Sequence, residues 1–193
     1  MKTKKCILIF TVASAVLLCL ALPLACLAEP EWASYENSRE GYSLALPAQL
    51  KVYLNMRKDM REATENRLPF DYLNFRPERA AGSLASFELG VGVHWNRDNL
   101  GTREFADKKD EGLRMQGARI EILRQAEVTV DGIKGVRDDF RIRQPEGWKT
   151  YSRVIIPSGS NFFVFLGTLG DEKADPGYEL VFQKILDSFE ARR

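Results

Sequence analysis

Arginines alternate along a predicted strand, residues 136–143, that lies just before Trp148. With the two-residue period of a strand, Arg137, Arg141 and Arg143 share one face. Guanidinium groups beside an indole ring are suited to bind an anion or an acidic partner. The pattern therefore predicts one of two arrangements. It is either an anion patch made of Arg137, Arg141, Arg143 and Trp148, or a solvated charged face with cross-strand ion pairs.

Two aspartates interrupt the same strand. Asp138 shares the apolar face with Phe140 and Ile142, whereas Asp139 lies on the face of the arginines. A buried carboxylate without a partner is costly, so we expect Asp138 to have a partner, lie near a sheet edge or mark a bulge. The two aspartates and the nearby arginines also allow the hypothesis of a small-ligand (anion) binder or a hydrolase.

His94 is the only histidine of the chain. A histidine-based metal site would need further ligands, and the domain after the leader offers only carboxylates, so no metal site is predicted. We interpret His94 as a surface or satisfied strand-end residue, with a catalytic base as the alternative. No serine-hydrolase elbow, P-loop or zinc-peptidase motif occurs. The sequence therefore predicts no enzyme and no cofactor.

Residues 55–82 break the strand rhythm and form a predicted long insertion. One interpretation is a short helix and loop that cover one end of the sheet. The other is a partner-facing surface, because aromatic residues and arginine commonly anchor interfaces. The candidate partner-binding residues are Phe70, Tyr72, Phe75 and Arg76.

The elements that must position these residues centre on a predicted β-meander, residues 127–168. Asp131-Gly132 has the two-residue pattern of a tight antiparallel hairpin. Residues 162–168, FFVFLGT, are apolar on both sides, so we expect a central strand that is covered on both faces. A preceding strand, from Ser83 onward, carries Gly90 and Gly92 on one face, against which we expect a helix to pack closely.

Two helices are predicted. The first starts with Thr102 as N-cap and has only a weak stripe, Phe105, Lys109, Gly112 and Gln116. In the second, Asp175 caps the helix and Pro176 takes its first position. Its apolar stripe must lie on the sheet; it consists of Tyr178, Val181, Phe182, Ile185, Leu186 and Phe189.

The first 28 residues have the parts of a secretory signal peptide: three lysines, an uncharged apolar run and small residues before Glu29. Residues 29–193 then form one domain. Two alternatives remain open, a lipoprotein acylated at Cys26 and an uncleaved membrane anchor. We expect the protein to be exported, periplasmic or extracellular, and to meet a membrane only through the leader or a lipidated Cys26.

All three cysteines lie in the leader, so the domain after it has no thiol chemistry and no disulfide framework. Removing three leader lysines from 28 basic residues leaves 25, against 27 acidic residues, a net charge of about −2. Nucleic-acid binders usually carry a clear basic excess. No nucleic-acid partner is therefore predicted.

The sequence resembles the PsbP-like family, whose fold is shared by the extrinsic protein of photosystem II and Ran-binding factors of the Mog type. Three short segments carry the resemblance: GYSLALP at 41–47, VTVDGI at 128–133 and KILDSF at 184–189. The resemblance implies an α+β fold, an antiparallel β-sheet flanked by helices in an α/β/α sandwich. It also implies a non-enzymatic binding or assembly role outside the cytoplasm. With the leader, this favours an accessory protein of the cell envelope that binds a protein partner there.

Overall fold

The computed structural model of the chain describes residues 30–55, 70–78 and 84–192, without the side chains of 54, 55 and 70–72. The described elements belong to one unit, Glu31–Arg193. Its helices are α1 (Thr102–Met115) and α2 (Pro176–Asp187). Its strands are β1 (Trp32–Asn37), β2 (Tyr42–Pro47), β3 (Leu50–Asn55), β4 (Phe70–Pro77), β5 (Leu89–Trp95), β6 (Ile120–Val130), β7 (Ile133–Gln144), β8 (Gly147–Ser158), β9 (Asn161–Asp171) and β10 (Glu190–Ala191).

The main sheet has seven described strands in the order β3-β4-β5-β9-β8-β7-β6, and every pairing in it is antiparallel. β9 is its middle strand, as the doubly apolar FFVFLGT segment predicted. Phe162 and Phe163 are both buried although they point to opposite faces. Each face of the sheet is therefore covered at β9. A smaller sheet, β1-β2-β10, completes the described strands.

The β6–β7 hairpin turns at Asp131-Gly132, whose φ angles are 49° and 72°. Positive φ at both positions is the geometry of a type I′ turn, which matches the twist of the two strands. The Asp131 carboxylate also accepts a hydrogen bond from the backbone N–H of Ala191 at 3.2 Å. The turn therefore contacts β10 of the small sheet, and the predicted hairpin is confirmed.

Helix α2 covers one face of the main sheet. The side chain of Asp175 accepts a hydrogen bond from Gly177 N at 2.7 Å, and Pro176 opens the helix. The predicted stripe is buried, from Tyr178 to Phe189. The helix packs closely on the sheet at Gly167 of β9, where a Cβ atom would lie 2.5 Å from the ring of Phe182. Because Gly167 has no Cβ atom, the ring can approach the strand this closely.

Helix α1 covers the other face, above β6, β7 and β8, with Phe105 and Ala106 buried against the sheet. The layered α+β fold expected from the sequence is thereby confirmed. One detail of the prediction was wrong: Gly101, not Thr102, is the N-cap, and no side chain caps the helix.

Residues 70–77 correct the predicted insertion at 55–82, because they form β4, an inner strand between β3 and β5. Leu73 and Phe75 of β4 are buried in the core. The polar residues Asp71, Asn74 and Arg76, with the prolines at 69 and 77, hid the strand alternation in the sequence. Residues 56–69 and 79–83 lie outside the described residues. The following strand begins at Leu89, after a turn at 84–86, rather than at Ser83.

Candidate functional site: a cavity between helix α1 and the sheet

A cavity of about 700 Å³ lies between α1, the loop after β5 and the main sheet. Its volume is within the range of small-molecule sites, roughly 300–1,000 Å³. Most of its wall is apolar. The apolar lining residues are Leu100, Phe105, Leu113, Phe140, Val164 and Leu166.

The composition of α1 explains why the helix does not close on the sheet here. The weak stripe predicted from sequence, Phe105, Lys109, Gly112 and Gln116, lines the cavity. A Cβ atom at Gly112 would meet no other atom within 4 Å. The helix thus presents a short apolar stripe with one aromatic residue, and the space below Gly112 remains open.

Two half-buried residues of β9, Val164 and Leu166, form the sheet side of the cavity. In the register of β5 and β9, Gly92 is opposite Val164 and Gly90 is opposite Leu166. Both glycines are buried, and neither is a lining residue of the cavity. The helix expected to pack closely against them stays a prediction.

A buried ionic network holds α1 over the sheet beside this cavity. Arg153 of β8 donates from Nη1 to Asp110 of α1 at 2.8 Å and from Nη2 to Asp138 of β7 at 2.8 Å. Arg103 of α1 also donates to Asp138. Asp138 is fully buried, and it has the partners that its position required. Two arginines and two aspartates, of which only Arg103 is partly exposed, balance in charge, so the network joins one helix to two strands without a net charge.

Lys109 and His94 face each other across the cavity wall. The Lys109 ammonium donates to Nδ1 of His94 at 3.3 Å and lies 5.1 Å from the ring centre of Phe105. Burial, and then the charge of Lys109, lower the pKa of His94 from 6.5 to about 4. Burial, and then the charge of Arg153, lower the pKa of Lys109. His94 is therefore neutral at pH 7, and it accepts a hydrogen bond from a cation.

Arg153 also lines the cavity, with its guanidinium 5.3 Å from the ring centre of Phe140. The residue is only 4% exposed, and its Nε–H has no hydrogen-bond acceptor among the described residues. A buried donor without an acceptor is uncommon in folded proteins. Lys109 Nζ is therefore the donor of the cavity with capacity to bind a ligand, and the Arg153 guanidinium adds a positive charge beside it.

The mouth of the cavity is more polar. Asn96 holds the loop after β5 through two hydrogen bonds to the backbone of Leu100, at 2.8 and 2.9 Å. Trp95 is half exposed at the rim, with the guanidinium of Arg97 at 4.9 Å from its ring centre. The rim is thus ordered by local hydrogen bonds and carries an accessible aromatic ring.

The residues of the predicted anion patch separate into two environments. Arg137 is buried and donates to Asp139 at 2.8 Å and to Glu179 of α2 at 3.2 Å. Arg141 and Arg143 lie 4.7 and 5.8 Å from the ring centre of Trp148. Arg141 also donates to Glu121. The patch stays a prediction for Arg141, Arg143 and Trp148, whereas an anion could reach Arg137 only by displacing two carboxylates.

The two adjacent aspartates do not form one site. Asp138 pairs with Arg103 and Arg153 on the α1 face, while Asp139 pairs with Arg137 and accepts from Ser152 at 2.6 Å on the α2 face. A shared Asp138–Asp139 centre, as the hydrolase alternative required, is therefore absent.

The candidate partner-binding residues are likewise distributed. Phe75 is 1% exposed, and its ring packs edge-on against Tyr35 at 5.0 Å. Arg76 is 3.2 Å from Glu88, and its guanidinium lies 4.2 Å from the ring centre of Tyr53. The side chains of Phe70 and Tyr72, and the whole of Cys26, lie outside the described residues. The structure brings Arg76 together with an exposed tyrosine that the sequence did not single out.

Two further findings concern only the described part of the chain. Within it, no group of three or more histidine, cysteine, aspartate or glutamate side chains could hold a metal ion. Among the same residues, neither helix has the length and apolar character needed to cross a bilayer.

Comparison with known proteins shows likeness of fold. No protein-family model and no curated protein matches the sequence. Cyanobacterial PsbP (CyanoP) from Synechocystis sp. PCC 6803 superimposes with a TM-score of 0.59 and 12% identity, covering 83% of this chain and 92% of that one. Mog1p, a Ran-binding protein of Saccharomyces cerevisiae, superimposes with a TM-score of 0.59 and 10% identity, covering 84% of this chain and 96% of that one. PA94 from Pseudomonas aeruginosa, a protein of unknown function, superimposes with a TM-score of 0.55 and 12% identity, covering 84% of this chain and 99% of that one. These likenesses confirm the fold that the sequence resemblance implied.

Proposed function

We propose that this chain, which has the PsbP-like fold, is a non-catalytic binding protein whose small-molecule ligand occupies the cavity under α1. The observation that carries the proposal is the cavity itself, about 700 Å³ with a mostly apolar wall and two cationic side chains, Lys109 and Arg153, among its lining residues. Such a combination is typical of small-molecule sites. That Mog1p, of similar fold, is a Ran-binding protein agrees with a binding role.

The ionisable groups of the cavity favour binding over catalysis. General bases work best with a pKa near the operating pH, and the pKa of His94 is about 4. Asp110 and Asp138 accept hydrogen bonds from Arg153, so both carboxylates are engaged in the network. The two carboxylates are suited to fix a geometry, and His94 is poorly suited to exchange protons at neutral pH.

The proposal is tested by filling the cavity. Gly112→Leu places an isobutyl group where a Cβ has open space, so the variant should fold and obstruct the part of the cavity beneath the helix. Gly112→Ala is the matched control, which removes the same glycine and leaves most of the volume. The probe is N-phenylnaphthylamine, an uncharged dye that fluoresces in apolar sites. Wild type and Gly112→Ala should bind it at one site and Gly112→Leu at least about tenfold more weakly. Equal binding by all three variants would exclude the cavity as the site.

Export and an accessory role in the cell envelope complete the proposal. Residues 1–28 act as the signal peptide, and the mature domain starts at Glu29; the alternative is a lipoprotein that starts at an acylated Cys26. Mass spectrometry of the protein purified from its source distinguishes the two. A mass beginning at Glu29 supports a free exported domain, an acylated Cys26 supports a lipid anchor, and an intact Met1 would argue against cleavage.

A protein partner in the envelope is the second candidate, and one surface favours it. Tyr53 is 65% exposed on β3, and the guanidinium of Arg76 covers its ring at 4.2 Å. Tyrosine and arginine are the residue types that dominate interface energies. If this surface binds a partner, Tyr53→Ala should lose a crosslinked protein that wild type and Trp148→Ala both retain. An identical crosslinking pattern in all three would exclude Tyr53 as the contact.

A further inference from the structure

The charge balance of the cavity points to the class of its ligand. Among its described charged lining residues four are basic, and Asp98 is the one acid. Asp98 pairs with Lys108 at the exposed rim, where the guanidinium of Arg97 lies over the ring of Trp95. Arg153 is balanced by Asp110 and Asp138 of the buried network. What remains inside is the ammonium of Lys109, which has no carboxylate partner among the described residues.

The ammonium of Lys109 is fixed at the cavity wall in a position that suits it to bind an anion. Its donation to Nδ1 of His94 at 3.3 Å uses one of its three protons and fixes the direction of the side chain. The ring of Phe105 lies below the same ammonium at 5.1 Å. Neither neighbour carries a negative charge at pH 7. Two protons of the ammonium are therefore left for a ligand, in a half-buried position where an ion pair is stronger than at the surface.

A second cation supports the same ligand chemistry. Arg153 lines the cavity, and its guanidinium lies 5.3 Å from the ring centre of Phe140. Its charge contributes to the lowered pKa of Lys109, so the two cationic groups are electrostatically coupled. A single anionic group in this cavity would relieve both the unpaired ammonium and the repulsion between the two cations.

The remaining wall limits the ligand to one charged end. Away from Lys109 and Arg153, the cavity is lined by the rings of Phe105 and Phe140 and by Leu113, Val164 and Leu166. Desolvating a second charge against these side chains would be costly. A polyphosphate or a dicarboxylate would therefore bind less well than a molecule with one anionic end and an apolar body.

We propose that the cavity binds a monoanionic amphiphile, a carboxylate on an apolar body, with its anionic group on Lys109 and its body against Phe105, Phe140 and Leu113. This inference rests on the proposed function and specifies its ligand. His94 is a positioning residue for Lys109 and does not contact the carboxylate in this arrangement.

The test compares three ten-carbon probes that differ only in their end group: decanoate, decanol and decylamine. Equilibrium dialysis at about pH 8 keeps the carboxylate ionised. Wild type should bind decanoate about tenfold or more tightly than decanol, and decylamine most weakly, because an ion pair replaces a neutral contact. Lys109→Met keeps the length of the side chain and removes its charge. It should abolish the preference for decanoate while decanol still binds, and Lys109→Arg should retain the preference.

Each contrary outcome has a distinct meaning. If decanoate and decanol bind equally to wild type, or decylamine binds best, the assignment of the anionic end is wrong while the cavity remains a binding site. If N-phenylnaphthylamine binds and none of the ten-carbon probes does, the proposed ligand class is wrong. If neither the dye nor any probe binds, the proposed function itself fails. Should Lys109→Met not fold, judged by its thermal melt, Lys109→Arg and the three probes on wild type still decide the question.

Discussion

The ammonium of Lys109 donates to Nδ1 of His94 across a gap of 3.3 Å, so a cation from helix α1 rests against a neutral imidazole from strand β5. The arrangement has two consequences. It holds Lys109 at the cavity wall, and it opposes protonation of His94, because an imidazolium there would face a like charge. The protonation state of His94 therefore reports on its burial behind Lys109 at the cavity wall.

His94 is predicted to titrate near its lowered pKa of about 4 rather than near 6.5. Because it is the only histidine, its imidazole proton resonances in NMR spectra are free of overlap from other histidines. In the unfolded chain the imidazole binds a proton below about pH 6.5, and in the folded protein it does so only near pH 4. The contribution of His94 to the free energy of unfolding is thus fully present above pH 6.5. As the pH falls from 6.5 to about 4, the free energy of unfolding decreases by about 2–3 kcal/mol.

The contribution of His94 to that pH dependence is isolated with a variant. His94→Gln keeps a hydrogen-bond acceptor for Lys109 and cannot titrate. Urea melts between about pH 6.5 and pH 4 should show a shallower loss of the free energy of unfolding for His94→Gln than for wild type. Identical slopes for the two proteins, or an imidazole that titrates near 6.5, would contradict the burial of His94 behind Lys109.

Asp138→Asn is predicted to lower the free energy of unfolding by about 3–5 kcal/mol. Asp138 is fully buried and pairs with Arg153 and Arg103, so its loss leaves a buried guanidinium with one carboxylate fewer. The matched control is Asp98→Asn, which breaks an exposed ion pair with Lys108 and should leave the free energy of unfolding almost unchanged. Chemical denaturation of the two variants measures the difference, and equal costs would show that the network is not what holds α1 on the sheet.

The sequence predicted those elements whose structure depends on the pattern of neighbouring residues. The Asp131-Gly132 turn, the doubly apolar β9 and the cap and stripe of α2 depend on spacing within a few residues, which is visible in one chain. Strand β4 was missed because its pairing partners, β3 and β5, decide its conformation, and its own polar and proline residues obscure the period of two.

The cavity could not be predicted for a related physical reason. Its parts come from α1, from β5 and from β7 to β9, and only the fold brings Lys109, His94 and Arg153 together. One signal was present, the helix stripe that contained Lys109 and Gly112. It was interpreted only as weak, whereas a helix face that is poor in large side chains leaves a cavity against the sheet.

Phe182→Ala is predicted to be among the most destabilising single changes, at about 3–5 kcal/mol. The ring is fully buried in the core between α2 and β9. The control lies in the same helix: Leu180 is 71% exposed, so Leu180→Ala should change the free energy of unfolding by less than about 0.5 kcal/mol. Thermal and urea melts of both variants give the comparison. A small effect at Phe182 would mean that α2 is not packed on the sheet as described.

Gly167→Ala tests how closely α2 approaches β9. The added methyl would lie 2.5 Å from Cδ2 of Phe182, so helix and strand must separate or the ring must move, which costs about 1–3 kcal/mol. In the Phe182→Ala background the obstacle is gone, and the same Gly167→Ala change should cost close to nothing. The coupling energy of this double-mutant cycle should therefore reach about 1 kcal/mol or more. Additive costs in the two backgrounds would place the ring of Phe182 away from Gly167 and contradict the packing of α2 on the middle strand.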